Sequence, residues 1–194
     1  MPSIEYDLRY IRASLVDLEG YLLSKEIYWP IGIRPPQSDP PYPRLTLGGI
    51  LISRQSLKGR SMDGAQNKEY QDLTTRIDET RTRWRAAWGA KIAREFTSRL
   101  VQWNNFIDDY RKQPENNADR YAYEARGRVM LQLMEPESEE IRPAEREMVK
   151  GLDRILQAHL MAGSFLWDAQ LLPSFPISQF WYLYGSLSKS LPIK

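Results

Sequence analysis

The sequence predicts an all-α fold, an irregular bundle of five or six helices organised around one long central helix at about residues 66–112. Two apolar periodicities and one absence carry that expectation. No proline interrupts the chain between Pro43 and Pro114. Within that stretch Tyr70, Leu73, Ile77, Trp84, Trp88, Ile92, Phe96, Leu100, Trp103, Ile107 and Tyr110 recur at intervals of three and four, with one missing step around Thr80 and Arg81. Counting that step, the mean interval is roughly 3.6 residues, the α-helical period. Near the N-terminus Ile4, Leu8, Ile11, Leu15, Leu18 and Leu22 form a second stripe whose alternating fours and threes are those of a bundle seam.

Taken in order, the first helix is expected over about residues 4–27, with Ser3 as its N-cap. Pro30, Pro35, Pro36, Pro40, Pro41 and Pro43 then exclude helix and central strand and define an extended connector at 30–43, read as a rigid internal strap. Thr46 can cap a shorter helix carrying Leu47, Ile50, Leu51 and Leu57, with Gly59 as its stop; Gly48 and Gly49 weaken that reading, and Leu51-Ile52-Ser53 also suits a strand. Residues 59–66 read as a polar loop.

After the long helix, Asn117 is placed to cap a helix over 118–134 that packs through Tyr121, Ala125, Val129 and Leu133. Glu135 to Glu140 reads as a solvated loop. Pro143 suits the first turn of a further helix, with Glu145 and Glu147 near its positive end. Its apolar face is expected to run from Met148 through Leu152, Leu156, His159 and Gly163 to Leu171, stopped by Pro173 and Pro176. A last short helix is expected after Ser178, carrying Phe180, Trp181, Leu183, Tyr184 and Leu187. The whole of 1–194 is read as a single helical domain.

Composition narrows the function classes. A hydrophobic fraction of 42% and a charged fraction of 27% are those of a globular protein, and the net charge of +2 supplies no global field towards nucleic acid or membrane. The absence of cysteine excludes disulfides, thiolate metal sites and cysteine nucleophiles. Glu5, Asp7, Arg9 and Arg12 interrupt any leader-like apolar core, and no run approaches a membrane span, so a cytoplasmic protein without a membrane partner is expected.

His159 is the one histidine. A di-iron bundle needs two Glu-x-x-His motifs, and Leu156 stands where the acid would be, so no metal, cofactor or catalytic residue is assigned. His159 is read as a hydrogen-bonded residue at the core edge. No phosphate-cradling glycine loop and no serine elbow occurs.

Three functional expectations remain. The first is a non-enzymatic interaction module, a homo-oligomer or the partner of another protein. It would use the small-residue face of the long helix, Ala86, Ala90 and Ala93, or the aromatic segment with Phe180 and Trp181. The second is nucleic-acid binding through Arg76, Arg83 and Arg94, extended by Arg54, Lys58 and Arg60. The third is a ligand pocket around Arg81, Trp84, Trp88, Glu95 and Arg99, where charges project into the bulky apolar arc of the long helix.

Overall fold

The computed structural model describes residues 3–190. Among the described residues, seven helices and one two-stranded antiparallel sheet enclose a contiguous cluster of buried apolar side chains. Helix α1 (Ile4–Leu23) is capped as its sequence indicates, with Ser3 Oγ accepting the Tyr6 N–H at 3.1 Å. It stops a turn earlier than the periodicity allows, because Ser24 leaves the helical conformation and folds its N–H back on Tyr21 O. The buried ammonium of Lys91 then takes up the free carbonyls there, donating to Ser24 O and Glu26 O at 2.8 Å each beneath the Tyr21 ring.

The proline-rich connector leaves the bundle and returns as a closed loop. Trp29 and Leu45 exchange backbone hydrogen bonds at its neck. Its return limb lies on α1, where Tyr42 packs edge-on to Tyr6, Tyr6 donates its hydroxyl to Pro41 O at 3.1 Å, and Arg9 pairs with Asp39.

Residues 47–58 are helix rather than strand: α2 (Leu47–Lys58) starts at Thr46, whose Oγ1 accepts the Gly49 N–H at 2.9 Å, and ends at Gly59. The two glycines that weaken a helical reading are there for packing. A Cβ on Gly48 would lie 2.6 Å from Glu95 Oε1, and one on Gly49 would lie 2.5 Å from the Tyr10 hydroxyl. Glycine costs helix propensity, but here it is what lets two partners reach the first turn of α2.

The long helix is broken. Helix α3 (Gly64–Arg83), opened by a reciprocal Asp63–Gln66 cap, gives way at Trp84 to α4 (Arg85–Lys112). Trp84 sits at φ −112°, ψ 35°, while hydrogen bonds from Trp84 N–H to Thr80 O and from Trp88 N–H to Trp84 O continue the chain across the joint. Thr80 and Thr82 return their hydroxyls to the carbonyls four residues back, a bond that bends helices. The break falls just after the missing apolar step. Helix α3 buries Leu73 and Ile77 against α1, whereas α4 runs through the core with Trp88, Ile92, Phe96, Leu100, Trp103 and Ile107 buried.

Three further differences follow the chain. Asn117 does not cap the next helix: its side chain donates to Asp109 O and Gln113 O at the end of α4, between the single turn α5 (Pro114–Asn117) and a 3-10 turn. Helix α6 (Tyr121–Met134) follows, with its expected apolar residues Tyr121, Ala125 and Val129 buried. Helix α7 (Pro143–His159) begins at its proline but ends at His159 instead of running on to Leu171. The chain passes into β1 (Leu160–Phe165), paired with β2 (Tyr184–Leu187), so the expected last helix is a 3-10 turn followed by a strand. The strands close on glycine: a Cβ at Gly185 would meet Met161 O at 2.3 Å. No helix among the described residues is long and apolar enough to cross a membrane.

Candidate functional site

A cleft opens where α1, α2, α6, the end of the proline loop and the segment after β1 converge. Helix α1 contributes Tyr6, Asp7 and Tyr10, one turn of one face; α2 contributes Ile52, Ser53 and Ser56 by the same spacing; α6 contributes Ala122, Tyr123 and Arg126. Pro43, Trp167 and Leu171 complete a chamber of about 440 Å³. Trp167 is held in place by its indole N–H, which donates to Ala122 O at 3.0 Å. Beyond Arg126 lies a second chamber of about 400 Å³, bordered by Tyr28, Arg44, Thr46, Arg99, Gln102, Glu124 and Gly127. Tyr10, Pro43, Tyr123 and Arg126 border both chambers. Tyr123, 80% exposed, stands at the mouth.

The electrostatics of the two chambers differ. In the first, Asp7 is 5% exposed and its carboxyl is pushed up to about 7 by burial, against the pull of Arg60, Arg126 and the Ser53 hydroxyl. Arg60 faces it at 3.7 Å. The hydroxyls of Tyr6 and Tyr10 are also made weaker acids by burial. The second chamber carries three guanidinium groups. Arg99 is committed, with Nε donating to Glu95 Oε1 at 2.6 Å and a terminal nitrogen to Thr46 Oγ1 at 3.1 Å. Arg44 reaches Tyr28 O at 3.4 Å. Among the described residues no hydrogen bond or ion pair reaches the guanidinium of Arg126, and burial lowers its pKa. It interacts with the Asp7 carboxyl through space only, and a half-buried guanidinium whose donors are not taken up by the protein is suited to receive an anion.

The residues expected to form one pocket do not come together. Glu95 is wholly buried, 0% exposed, and accepts the Gly48 N–H at 3.0 Å, completing the N-terminus of α2; only Arg99 of that set borders the cleft. Arg81 and Trp88 lie at a separate, open hollow of about 720 Å³, both bonded to Glu137, with Arg81 at 3.1 Å and the Trp88 indole at 3.2 Å. Trp84 sits at the α3–α4 joint with its indole N–H unpartnered. Glu95 and Arg99 do pair, but they turn to the first turn of α2, whereas Trp88 on the same helix and Arg81 on α3 turn to Glu137.

The surfaces expected to meet partners are largely occupied by the chain itself. Phe180 is 1% exposed, packed between Phe175 and Tyr182, and Trp181 is half-buried beside it. Ala93 packs on the core, Ala90 is half-buried and Ala86 borders the open hollow. The small residues of α4 make room for the 138–145 segment: Ser138 Oγ donates to Gly89 O at 3.0 Å and Thr97 Oγ1 to Glu145 at 2.5 Å. Of the basic residues, Arg83 pairs with Glu19 at 3.2 Å, Arg54 with Asp78 at 3.1 Å, and Arg94 donates to Lys25 O; Arg76 and Lys58 are exposed. His159 bonds Ile155 O through Nδ1 at 2.8 Å and meets the Tyr110 ring edge-on.

Sequence reasoning missed Asp7, Tyr10, Arg126 and Trp167. The visible signal was slight: Asp7 between Tyr6 and Leu8 inside an apolar stripe, and Arg126 one residue after the buried Ala125 of α6. Each is an apolar-face intrusion of charge, and only the packing of four distant segments aligns them. Among the described residues no group of three or more histidine or acidic side chains is disposed to hold a metal ion. No family model matches the chain, and neither a curated protein nor a solved structure matches it.

Proposed function

We propose that this protein is a helical binding protein that encloses a small organic ligand in the cleft between α1, α2 and α6. The observation that carries the reading is the pair of adjoining chambers of about 440 and 400 Å³, the first walled mainly by aromatic and aliphatic side chains and the second rich in polar and charged ones. Both have the size of small-molecule sites in general, and the first has their predominantly apolar lining. A self-associating interaction module and a nucleic-acid-binding subunit have weaker support. Phe180 is buried, Trp181, Ala90 and Ala93 are half-buried, and Arg83 and Arg94 are engaged with Glu19 and Lys25 O.

A plug in each chamber tests the reading. Ala122 is exposed at the first chamber, and a Cβ on Gly127 at the second meets nothing within 4 Å, so Ala122→Trp and Gly127→Trp fill space without forcing the backbone. Thermal unfolding of the wild type is screened against neutral, cationic and anionic small molecules. At least one compound raises the wild-type midpoint and loses that effect in a plugged variant of unchanged circular dichroism. The reading fails when every stabilising compound acts equally on the plugged proteins.

A further inference from the structure

The two chambers are chemically unlike, and their contrast names a ligand class. On the side of Trp167, Tyr6, Tyr10, Ile52, Trp167 and Leu171 present flat or branched apolar surfaces suited to a ring, and the Asp7 carboxyl at the floor faces Arg60 at 3.7 Å. On the side of Thr46 the walls carry Arg44, Arg99 and Arg126. The one acid on that side, Glu124, already accepts from Arg120 at 2.8 Å. Arg126 stands at the junction with no partner of its own among the described residues. Resting on the ligand-cleft reading, we propose that the ligand is an organic oxyanion, a phosphate or a carboxylate, whose head is held by Arg126 and whose flat apolar body lies between Tyr10 and Trp167.

The chemistry follows from the guanidinium. It presents paired N–H donors that match the geometry of a carboxylate or phosphoryl group, and it is always protonated, so the site stays cationic at any physiological pH. Arg99 is fixed in orientation by Glu95 and Thr46, which leaves its charge as a steady contribution to the field of the same chamber. Glu95 cancels part of that charge from behind. Arg126, which nothing cancels at bonding distance, therefore distinguishes an anion from a neutral ligand, and the aromatic chamber distinguishes an organic anion from an inorganic one.

Calorimetric titration of the full chain with phenyl phosphate, benzoate, inorganic phosphate and phenol tests the proposal. Phenyl phosphate or benzoate is expected to bind at least tenfold more tightly than both inorganic phosphate and phenol, and the better of the two identifies the head group. Arg126→Met should weaken that binding by about tenfold to a hundredfold, the range of a hydrogen bond to a charged group. Because Arg126→Met breaks no hydrogen bond or ion pair among the described residues, the ligand-free variant should keep the wild-type fold and circular dichroism. Equal affinity in wild type and Arg126→Met, or no advantage of the ring-bearing anions, overturns the proposal. When neutral or cationic compounds show plug-sensitive stabilisation and the two anions do not, the ligand class falls and the cleft reading stands. When no compound at all is plug-sensitive, both fall.

Discussion

Replacing Asp7 by asparagine should change how the stability of the protein depends on pH, and the size of the change follows from the surroundings of one carboxyl. Asp7 lies on α1 at the floor of the cleft, raised by burial to about 7 from an ordinary value of 3.8. A folded-state pKa above the unfolded one means that the native protein binds the proton more tightly. The stability so gained is therefore complete below the unfolded pKa and is lost as pH rises through the folded one. A shift of about 3 pH units corresponds to about 4 kcal/mol in all, of which about 2.6 kcal/mol disappears between pH 5 and pH 8. In Asp7→Asn that portion of the slope is absent. Arg60, 3.7 Å away, loses its carboxylate in the variant. That loss of a partner displaces the whole variant curve and leaves its slope to the absent carboxyl. Urea unfolding at four pH values between 5 and 8 reads the difference directly. The wild type should lose stability relative to Asp7→Asn by about 2 to 3 kcal/mol across the interval. Parallel curves would show that Asp7 ionises as an ordinary surface acid, and the description of a desolvated cleft floor would be abandoned.

Other perturbations probe the frame around the cleft. Gly48→Ala places a Cβ 2.6 Å from Glu95 Oε1 and 3.3 Å from Met130 Cβ, so overpacking should cost about 1 to 3 kcal/mol in urea unfolding, where a helix-propensity argument alone predicts a gain. Glu95→Gln keeps an acceptor for the Gly48 N–H but removes the counter-ion of Arg99, and should cost about 3 kcal/mol; a loss under about 0.5 kcal/mol would show the pair to be dispensable. Lys91, lowered to about 8 by burial, has a folded pKa below its unfolded value. The unfolded chain therefore binds more protons between about pH 8 and pH 10, and stability should rise through that window in the wild type but not in Lys91→Met. The same variant should lower the thermal midpoint at pH 7, because Ser24 O and Glu26 O lose the donor that ends α1; an unchanged midpoint would count against that role.

Much of the helical architecture is legible in the chain because its signals are local. Ser3 and Thr46 mark helix starts through side-chain hydrogen bonds that span three residues, and Pro143 sits in a first turn where its missing N–H costs nothing. Gly59 ends α2 as expected, though what needs a glycine there is the close approach of the Pro173 and Ser174 backbone. The apolar faces of α1, α4 and α6 follow from helical periodicity for the same reason. The end of α3 was half legible: the stripe lapses at Thr80 and Arg81, and the backbone breaks at Trp84. The hairpin was not legible. Leu160 to Phe165 continues the apolar spacing of α7 well enough to imitate helix, and what makes it a strand is its partner 20 or so residues later in the chain.

Sequence alone determined that this chain is built of amphipathic helices, where several begin and end, and which faces go inward, since each depends on neighbours three or four residues apart. Tertiary structure decided the site. Asp7, Ser53, Arg126 and Trp167 are separated by 46, 73 and 41 residues along the chain and meet only because α1, α2 and α6 pack together with the segment after β1 over one core. It also decided the energetics of that site. Asp7 is a weak acid because burial disfavours its charged form, and Arg126 faces the cleft without a hydrogen-bond or ion-pair partner among the described residues; both conditions belong to the assembled fold rather than to any residue in it.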